Sequence, residues 1–433
     1  MPEITTLKGM HDFLPTDMYV RRYVIDKIRN VFEKYGYEPL ETPALEYYDV
    51  LSAKYGEEER LIYRFQDYGG REVGLRFDLT VPLARVLASH NELPLPFRRY
   101  QIQPVWRAEK PQKGRFREFY QCDVDLVGIK SMAADAEIIA IIYDTLKALG
   151  FDKFTIRINN RKILQTIAER LNLPADKYLP FFRAIDKLDK KGWPGVVDEL
   201  MRLGLTDSCI EELKGVLKLR DVPTKIMSTL RRVLGDTEGL SEMESLFQYL
   251  DAYGIPTEYT VFDVALARGL DYYTGPIHET AVDVPKIGSI TGGGRYDRLL
   301  EIFTGKPIPA VGTTLGLERI IIVMKETGMI PASAIPTRVL MTIFDTTTYK
   351  KTVELAQRLR AIGVNVALYP EFVKLSKQLK YADKANIPWV IVMGPDELAE
   401  GTFLLRDMKS GNQYKIKLTD YHKVKEYVDG VLG

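Results

Sequence analysis

The amino-acid sequence predicts an α/β chain in three parts: a domain with a mixed sheet, a helical segment inserted into it, and a C-terminal α/β domain. Three observations predict this. Apolar and polar residues alternate in short runs between residues 73 and 127 and again between 257 and 283, the period of half-buried strands. From Arg161 to Tyr253 that alternation nearly vanishes, and Leu/Lys/Arg/Asp stretches are broken by Pro174, Pro180, Pro194 and Pro223, which suggests several short helices. Beyond Arg338, three apolar runs alternate with two helical patterns. That βαβαβ order favours a parallel sheet with right-handed crossovers.

Taken along the chain, Val20, Val24, Ile28 and Val31 recur at helical spacing, predicting a helix over 17–35 with Gly36 as its stop. Val73–Pro82, Tyr100–Arg107 and Arg115–Val127 read as strands, followed by a helix over 133–149. Strand signals return in Thr257–Ala267 and Ile277–Asp283. The expected boundaries are a first domain over 1–327 interrupted by a helical insertion over 161–253, a linker over 328–336, and a last domain over 337–433. In that last part Arg338–Phe344, Val364–Tyr369 and Trp389–Met393 are the apolar strands, with helices over 349–362 and 373–386. Phe403–Asp407 and Gln413–Leu418 form a closing hairpin around Lys409-Ser-Gly-Asn412.

Composition removes several classes of function. The 433 residues carry 60 Lys+Arg against 59 Asp+Glu, with 45% hydrophobic and 27% charged residues, the balance of an ordinary globular chain. Cys122 and Cys209 form no C-x-x-C, and His11, His90, His278 and His422 contain no H-x₃-H, so neither a zinc knuckle nor zincin chemistry is expected. No G-x₄-G-K-[ST] and no G-x-G-x-x-G is present, disfavouring a P-loop NTPase, a Rossmann dehydrogenase or a protein kinase. The apolar runs fall short of the ~20 residues needed to cross a bilayer, and no targeting signal is visible, so the cytoplasm is the expected location. The near-neutral total conceals an asymmetry: residues 336–433 carry 15 basic against 11 acidic residues, the remainder 45 against 48.

The densest signal is Arg98–Arg117, with seven basic residues and one acid, Glu109. Lys110-Pro-Gln-Lys-Gly114 is turn chemistry, so a hairpin with a basic tip is expected. Along its second strand Phe119, Gln121, Asp123 and Asp125 share one face; on the first side Arg107 and Glu109 point together. A wet sheet face would suffice to explain the alternation. Arginines, carboxylates, an amide and a ring on one face would also suit a charged triphosphate and the base it carries. Leu75-Arg-Phe-Asp-Leu-Thr-Val-Pro82 repeats the alternation, with Arg76, Asp78 and Thr80 facing one way, although an isolated Asp-x-Thr is more often structural. Ala267-Arg-Gly-Leu-Asp-Tyr-Tyr-Thr-Gly275 sets an arginine and two tyrosines between strands. Gly292-Gly-Gly-Arg-Tyr-Asp297 offers glycines at a strand end, for a close ligand approach or a tight bend. Gly312-Thr-Thr-Leu-Gly-Leu-Glu-Arg-Ile320 ends with an arginine at a helix start, suited to phosphate or to a plain Glu–Arg surface pair.

Together these segments resemble a class II aminoacyl-tRNA synthetase, and within that class the histidyl-tRNA synthetase family. Gly36-Tyr-Glu-Pro-Leu-Glu-Thr-Pro43 resembles motif 1, Arg107-Ala-Glu109 with Arg115-x₃-Phe119 resembles motif 2, and Gly316-Leu-Glu-Arg319 resembles motif 3. Leu266-Ala-Arg-Gly-Leu-Asp-Tyr-Tyr273 and Gly292-Gly-Gly-Arg-Tyr-Asp297 are similar to the two segments specific to the histidine family. The likeness extends to Lys8-Gly-Met-His-Asp12, and the forms at Asp78-Leu-Thr80 and Gln121-Cys-Asp-Val-Asp125 resemble its archaeal and eukaryotic branch.

The resemblance implies an α+β catalytic domain with an antiparallel sheet of the class II type, a helical insertion near the tRNA acceptor arm and an anticodon-binding α/β domain. It implies activation of L-histidine by ATP, with Mg²⁺ expected alongside, transfer to the cognate tRNA, and a homodimer formed through motif 1. Arg107 and Arg268 would be catalytic, acting at the α-phosphate and the histidine carboxylate. Glu109, Arg115, Phe119 and Arg319 would join Arg107 in binding ATP. Asp78, Leu79, Thr80, Gln121, Asp125, Tyr272 and Tyr273 would complete the histidine site around Arg107 and Arg268. Lys377, Lys380 and Lys384, within ~60° of one another on a helix, would meet tRNA phosphates or form a solvated face. The alternative is a non-catalytic regulatory paralogue or a histidine sensor, which would typically lack the last domain and the ATP-clamping arginines.

Overall fold

The computed structural model describes residues 4–53, 56–268, 272–331, 334 and 338–430. Most of the expected 328–336 linker and the Gly269-Leu-Asp271 step of the tyrosine segment lie outside them. The chain divides into two compact units, residues 1–330 and 331–433.

The first unit is organised by an eight-stranded sheet in the order Glu38–Pro39, Phe97–Trp106, Glu118–Val127, Ala310–Gly316, Thr291–Arg295, Pro276–Ala281, Thr155–Asn160, Thr260–Phe262. Only its two outer pairs are parallel; the six inner strands pair antiparallel. Period-2 alternation gives the sheet two unlike faces. One carries Cys122, Val124 and Leu126, all buried in an apolar core with the helices Pro15–Lys34, Met132–Ala148 and Leu317–Glu326. Each such side chain withdrawn from water contributes about 1.5–3 kcal/mol, which holds the helices to this face. The other face carries the polar residues and is the floor of the site.

Seven helices run from Arg161 to Ala252. Their starts are chemically marked. Asn160, Thr206 and Thr237 accept a backbone N–H with their side chains, the usual N-cap role. Pro194 and Pro223 occupy first-turn positions where no N–H is required, so these prolines open helices as much as they separate them. The helices do not form a core of their own. Phe181, Leu200, Leu213, Leu230 and Leu246 belong to the same apolar cluster as Ile138, Ile156 and Phe262.

Three sequence expectations are corrected. The Val73–Pro82 run is a strand only over Glu72–Leu75, and a helix begins at Thr80. Asp78 decides this, because its Oδ1 accepts from the N–H groups of Thr80 and Val81 at 3.1 and 3.0 Å and so starts the helix. Arg76 therefore does not share a face with Asp78 and Thr80; it is buried, donating to Thr42 O, Pro104 O and Gln103. Thr257–Ala267 narrows to Thr260–Phe262, and Gly292–Gly294 lie inside a strand rather than at its end.

The second unit is a five-stranded sheet, Asn365–Leu368, Arg338–Met341, Trp389–Val392, Thr402–Asp407 and Gln413–Lys417 in spatial order. Its first three strands are parallel, joined by the helices Thr346–Ala361 and Leu375–Lys384, and the last two close it as an antiparallel hairpin. No helix among the described residues is long and apolar enough to cross a membrane.

Candidate active site

Strand register brings distant residues into one row on the polar face. Gln101 lies beside Asp123, Asp123 beside Thr314, Thr314 beside Gly292, Gly292 beside Glu279, and Glu279 beside Arg157. Above this floor is a cavity of about 430 Å³, walled by Arg107, Glu109, Arg115, Phe119, Arg268 and Arg319 on its basic side and by Asp78, Thr80, Gln121, Tyr272 and Tyr273 on the other. An inner recess continues beneath Thr80, Tyr272, Tyr273 and Thr314 to Asp123, Asp125 and Tyr296. The volume suits a small ligand or cofactor.

The arginines reach it from separate elements. Arg107 follows the Phe97–Trp106 strand; its Nε donates to Phe77 O at 3.1 Å, and its guanidinium lies over the Phe77 and Phe119 rings at 4.4 and 5.1 Å. Arg115 meets Glu109 at 3.4 Å. Arg319 opens the last helix of the unit and donates to Gly114 O and Ser289 O at 3.1 and 2.6 Å, which ties it to the basic loop. Burial, and then the neighbouring Arg115, Arg107 and Arg268 charges against Glu109, hold Arg319 below the usual guanidinium range. That is the electrostatic mark of a positive site with too few acids of its own. Glu318 is not a surface partner of Arg319. It is buried, accepting from Arg21 at 2.9 Å and from the Tyr120 N–H at 3.2 Å.

Arg268 adopts φ +46°, outside the regions a non-glycine residue prefers. Its surroundings impose this: Arg161 donates to Ala267 O and Arg268 O at 2.7 and 3.1 Å, and Asn159 to Val264 O and Leu266 O at 2.9 and 2.8 Å. Strain over-determined in this way is characteristic of functional positions. The side chain donates to His278 O at 3.2 Å and lies 3.9 Å from Glu279, while its Nε has no hydrogen-bond partner among the described residues. Burial works against its charge, but Tyr273, Glu279, Tyr272 and Asp186 keep the guanidinium above its ordinary range. Gly292 makes room for it, since a Cβ there would stand 1.9 Å from Arg268 Nη1.

Asp125 is held on two sides. It pairs with the buried Arg99 at 2.7 Å and takes the Tyr296 hydroxyl bond, and a Cβ on Gly312 would stand 2.0 Å from its Oδ1. Tyr272 and Tyr273 pack with their rings tilted by 41° and centroids 4.6 Å apart, and Tyr296 meets Tyr272 edge-on at 6.1 Å.

The cavity thus gathers Asp78, Thr80, Arg107, Glu109, Arg115, Phe119, Gln121, Arg268, Tyr272, Tyr273 and Arg319, with Asp125 beneath. Leu79 is the exception. Its side chain is fully buried away from both spaces, and only its carbonyl is engaged, accepting from Arg99 at 3.4 Å. Arg98 and Arg99 leave the basic tip as well, because they sit at the hairpin's base, paired with Glu137 and Asp125. Sequence reasoning assigns no role to Arg99, Asp123, Thr314, Glu279, Asp186 and Tyr296. Alternation puts Asp123 on the right face, and Arg99, Thr314 and Tyr296 lie inside segments singled out above; nothing local points to Glu279 or Asp186. Lys377, Lys380 and Lys384 are exposed on the Leu375–Lys384 helix, while Gln378 and Ala382 face inward. Among the described residues no three His, Cys, Asp or Glu side chains converge to hold a metal ion.

An antiparallel floor, a hairpin within it that ends in a basic loop, and an arginine at a strand-to-helix step define a class II aminoacyl-tRNA synthetase. The histidyl-tRNA synthetase family profile matches residues 9–320, and an anticodon-binding-domain profile matches 321–425. The chain belongs to the histidyl-tRNA synthetase family. It is 42% identical over 428 residues to the histidine–tRNA ligase of Aeropyrum pernix, covering 97% of each chain. It is 40% identical over 446 residues to that of Cytophaga hutchinsonii, covering 96% of this chain and 98% of that one. Similar identity to an archaeal and a bacterial relative singles out neither branch. The crystal structure of histidyl-tRNA synthetase from Nostoc sp. PCC 7120 superposes with a TM-score of 0.87 at 34% identity, over 98% of this chain and 99% of that one. A Bacillus halodurans structure described as an ATP phosphoribosyltransferase regulatory subunit/histidyl-tRNA synthetase gives 0.75 at 25% identity, over 88% and 96%.

Proposed function

We propose that this chain is a histidine–tRNA ligase: it joins L-histidine and ATP to form histidyl-adenylate and pyrophosphate, then transfers histidine to the terminal adenosine of its tRNA. The observation that carries this reading is the convergence of Arg107, Arg115, Arg268 and Arg319 on one cavity whose inner end is lined by Asp123, Asp125, Tyr272, Tyr273 and Tyr296. The basic side suits a triphosphate and the inner end an imidazole. In the first step a histidine carboxylate oxygen bonds to the α-phosphorus, and the bond from that phosphorus to the bridging oxygen breaks. No side chain need remove a proton. Fixed positive charge at the α-phosphate is then the main aid, worth about 3–4 kcal/mol per well-placed donor in a comparable oxyanion site. Arg107 and Arg268 take that role, Arg115 and Arg319 hold the outer phosphates, and Phe119 stacks on adenine with Glu109 at its amino group.

Asp78, Thr80 and Gln121 receive the α-ammonium group, with Leu79 contributing only main chain. Asp125, Tyr272 and Tyr273 read the ring; the Arg99 and Tyr296 contacts hold Asp125 in place, and a side chain lacking ring nitrogens leaves buried polar groups unpaired. Mg²⁺ would accompany ATP as part of that substrate, neutralising phosphate charge beside Arg115 and Arg319. Lys377, Lys380 and Lys384 contact the tRNA backbone. Exposed Leu45, Tyr47 and Phe65, on a small sheet just after motif 1, favour the homodimer, and the location is the cytoplasm. The archaeal and eukaryotic branch rests on the Asp78-Leu-Thr80 and Gln121–Asp125 forms alone.

Histidine-dependent ATP–pyrophosphate exchange and tRNA charging test the reading, with Arg268→Ala expected to lose exchange by orders of magnitude. Unchanged exchange in that variant would remove Arg268 from the chemistry. A regulatory paralogue or histidine sensor would show no exchange at all.

A further inference from the structure

Gln121 and Asp123, two residues apart on the Glu118–Val127 strand, share its cavity face. Asp123 is the register partner of Thr314 on the adjacent strand. Thr314 Oγ1 stands 2.6 Å from Asp123 Oδ1 and 3.1 Å from Gln121 Nε2. A threonine hydroxyl has one proton, and an ionised carboxylate can only accept. The proton therefore goes to Asp123, and Thr314 Oγ1 is left to accept from Gln121. An amide oxygen turned that way would meet a lone pair, so the amide NH₂ must face Thr314. The other end, Gln121 Oε1, is buried and has no hydrogen-bond partner among the described residues. A buried acceptor in that state calls for a donor.

We infer that Thr314 and Asp123 form a directional clamp on Gln121, turning its carbonyl oxygen, and not its NH₂, towards the α-ammonium group of the amino-acid substrate. This rests on the reading of Gln121 as an ammonium acceptor. Thr314 and Asp123 are positioning residues, acting through Gln121. Arg99, 4.0 Å from Asp123 and 2.7 Å from Asp125, is a cation shared by the two carboxylates. Burial, opposed by Arg99 and reinforced by Asp125, raises the Asp123 carboxyl above its usual range, so the clamp is to be assayed in mildly alkaline buffer, where Asp123 is an acceptor only.

The test compares Thr314→Val, which keeps the shape and removes the hydroxyl, with Thr314→Ser, which keeps the hydroxyl. Pyrophosphate exchange yields the KM for histidine and the inhibition constant of imidazolepropionate, which lacks the amino group. Thr314→Val should raise the histidine KM about 10- to 100-fold while leaving the imidazolepropionate constant and the KM for ATP unchanged. Thr314→Ser should restore the histidine KM. In a Gln121→Ala background Thr314→Val should add nothing further. The clamp is overturned if Thr314→Val leaves histidine use intact while Gln121→Ala impairs it. Equal loss of histidine and imidazolepropionate, failure of serine to restore, or full additivity with Gln121→Ala overturns it too. If Gln121→Ala itself leaves the histidine KM unchanged, the ammonium role of Gln121 falls and the clamp falls with it.

Discussion

Gly292 offers a way to move Arg268 without touching it. In Gly292→Ala the new Cβ would begin 1.9 Å from Arg268 Nη1, 2.6 Å from its Cζ and 2.7 Å from Nη2. Carbon and nitrogen settle near 3.5 Å, so the guanidinium must retreat by roughly 1.5 Å. That shift breaks its bond to His278 O and takes it off the position assigned to the α-phosphate. A misplacement of about 1 Å can cost on the order of 100-fold in rate, equivalent to about 2.7 kcal/mol of transition-state stabilisation. The fold should tolerate the change, because the atoms displaced are the free end of a side chain and the Gly292 φ is not in the left-handed region. The assay is histidine-dependent pyrophosphate exchange, resolved into kcat and KM, beside a thermal melt. The expected result is a kcat loss near 100-fold with the melting temperature held within a few degrees. Combined with Arg268→Ala, Gly292→Ala should add little, since the group it displaces is already gone. Exchange within about threefold of wild type, or losses that multiply in the double variant, would refute the reasoning.

Three further outcomes are expected. Arg295 and Asp135 form an ion pair with both side chains 2% exposed, so Asp135→Ala leaves the buried guanidinium with Asp297 at 3.3 Å as its remaining carboxylate and should cost about 3 kcal/mol in urea unfolding; a loss below about 1 kcal/mol would show that Asp297 and the Ile129 and Ser131 carbonyls suffice. His278 is held near 3, chiefly by burial and then by the Arg268 charge, so the folded state refuses a proton that the unfolded chain takes up near pH 6.5. Stability from this group is complete above that pH and is lost on acidification, at up to about 1.4 kcal/mol per pH unit, whereas His278→Gln should lack this slope; parallel profiles would count against it. Reversing Lys377, Lys380 and Lys384 to Glu should raise the KM for tRNA and flatten its salt dependence, by roughly 0.7–0.9 in log–log slope for each phosphate no longer neutralised. Exchange should be unchanged, and an unaltered tRNA KM would return that helix face to plain solvation.

The legible parts of this protein are those encoded over short spans. Alternation along 118–127 tells which side chains share a face, and the ladder keeps Gln121, Asp123 and Asp125 on it. Helical spacing from Val20 to Val31 and the βαβαβ rhythm after residue 338 carry over in the same way. The mismatch at Val73–Pro82 has a local cause that is readable but outweighed: Asp78 reads as one position in an alternation, whereas its side chain caps the next turn.

What the tertiary structure alone decided is which of those faces meet, and at what register. Thr314 lies beside Asp123 although 191 residues separate them, and Arg99 neutralises Asp125 only because their two strands pair at that offset. No sequence period carries such information, since each ladder position is selected by the summed packing of the sheet on its helices. The left-handed turn at Arg268, imposed by Arg161 and Asn159 from the edge of the insertion, belongs to the same category. By itself the sequence determined the chemical inventory, four arginines for an anion and a set of acids, amides and phenols for a small polar ligand, because side-chain chemistry is local. Their convergence on one cavity was decided by the fold, because burial and strand pairing act on the whole chain at once.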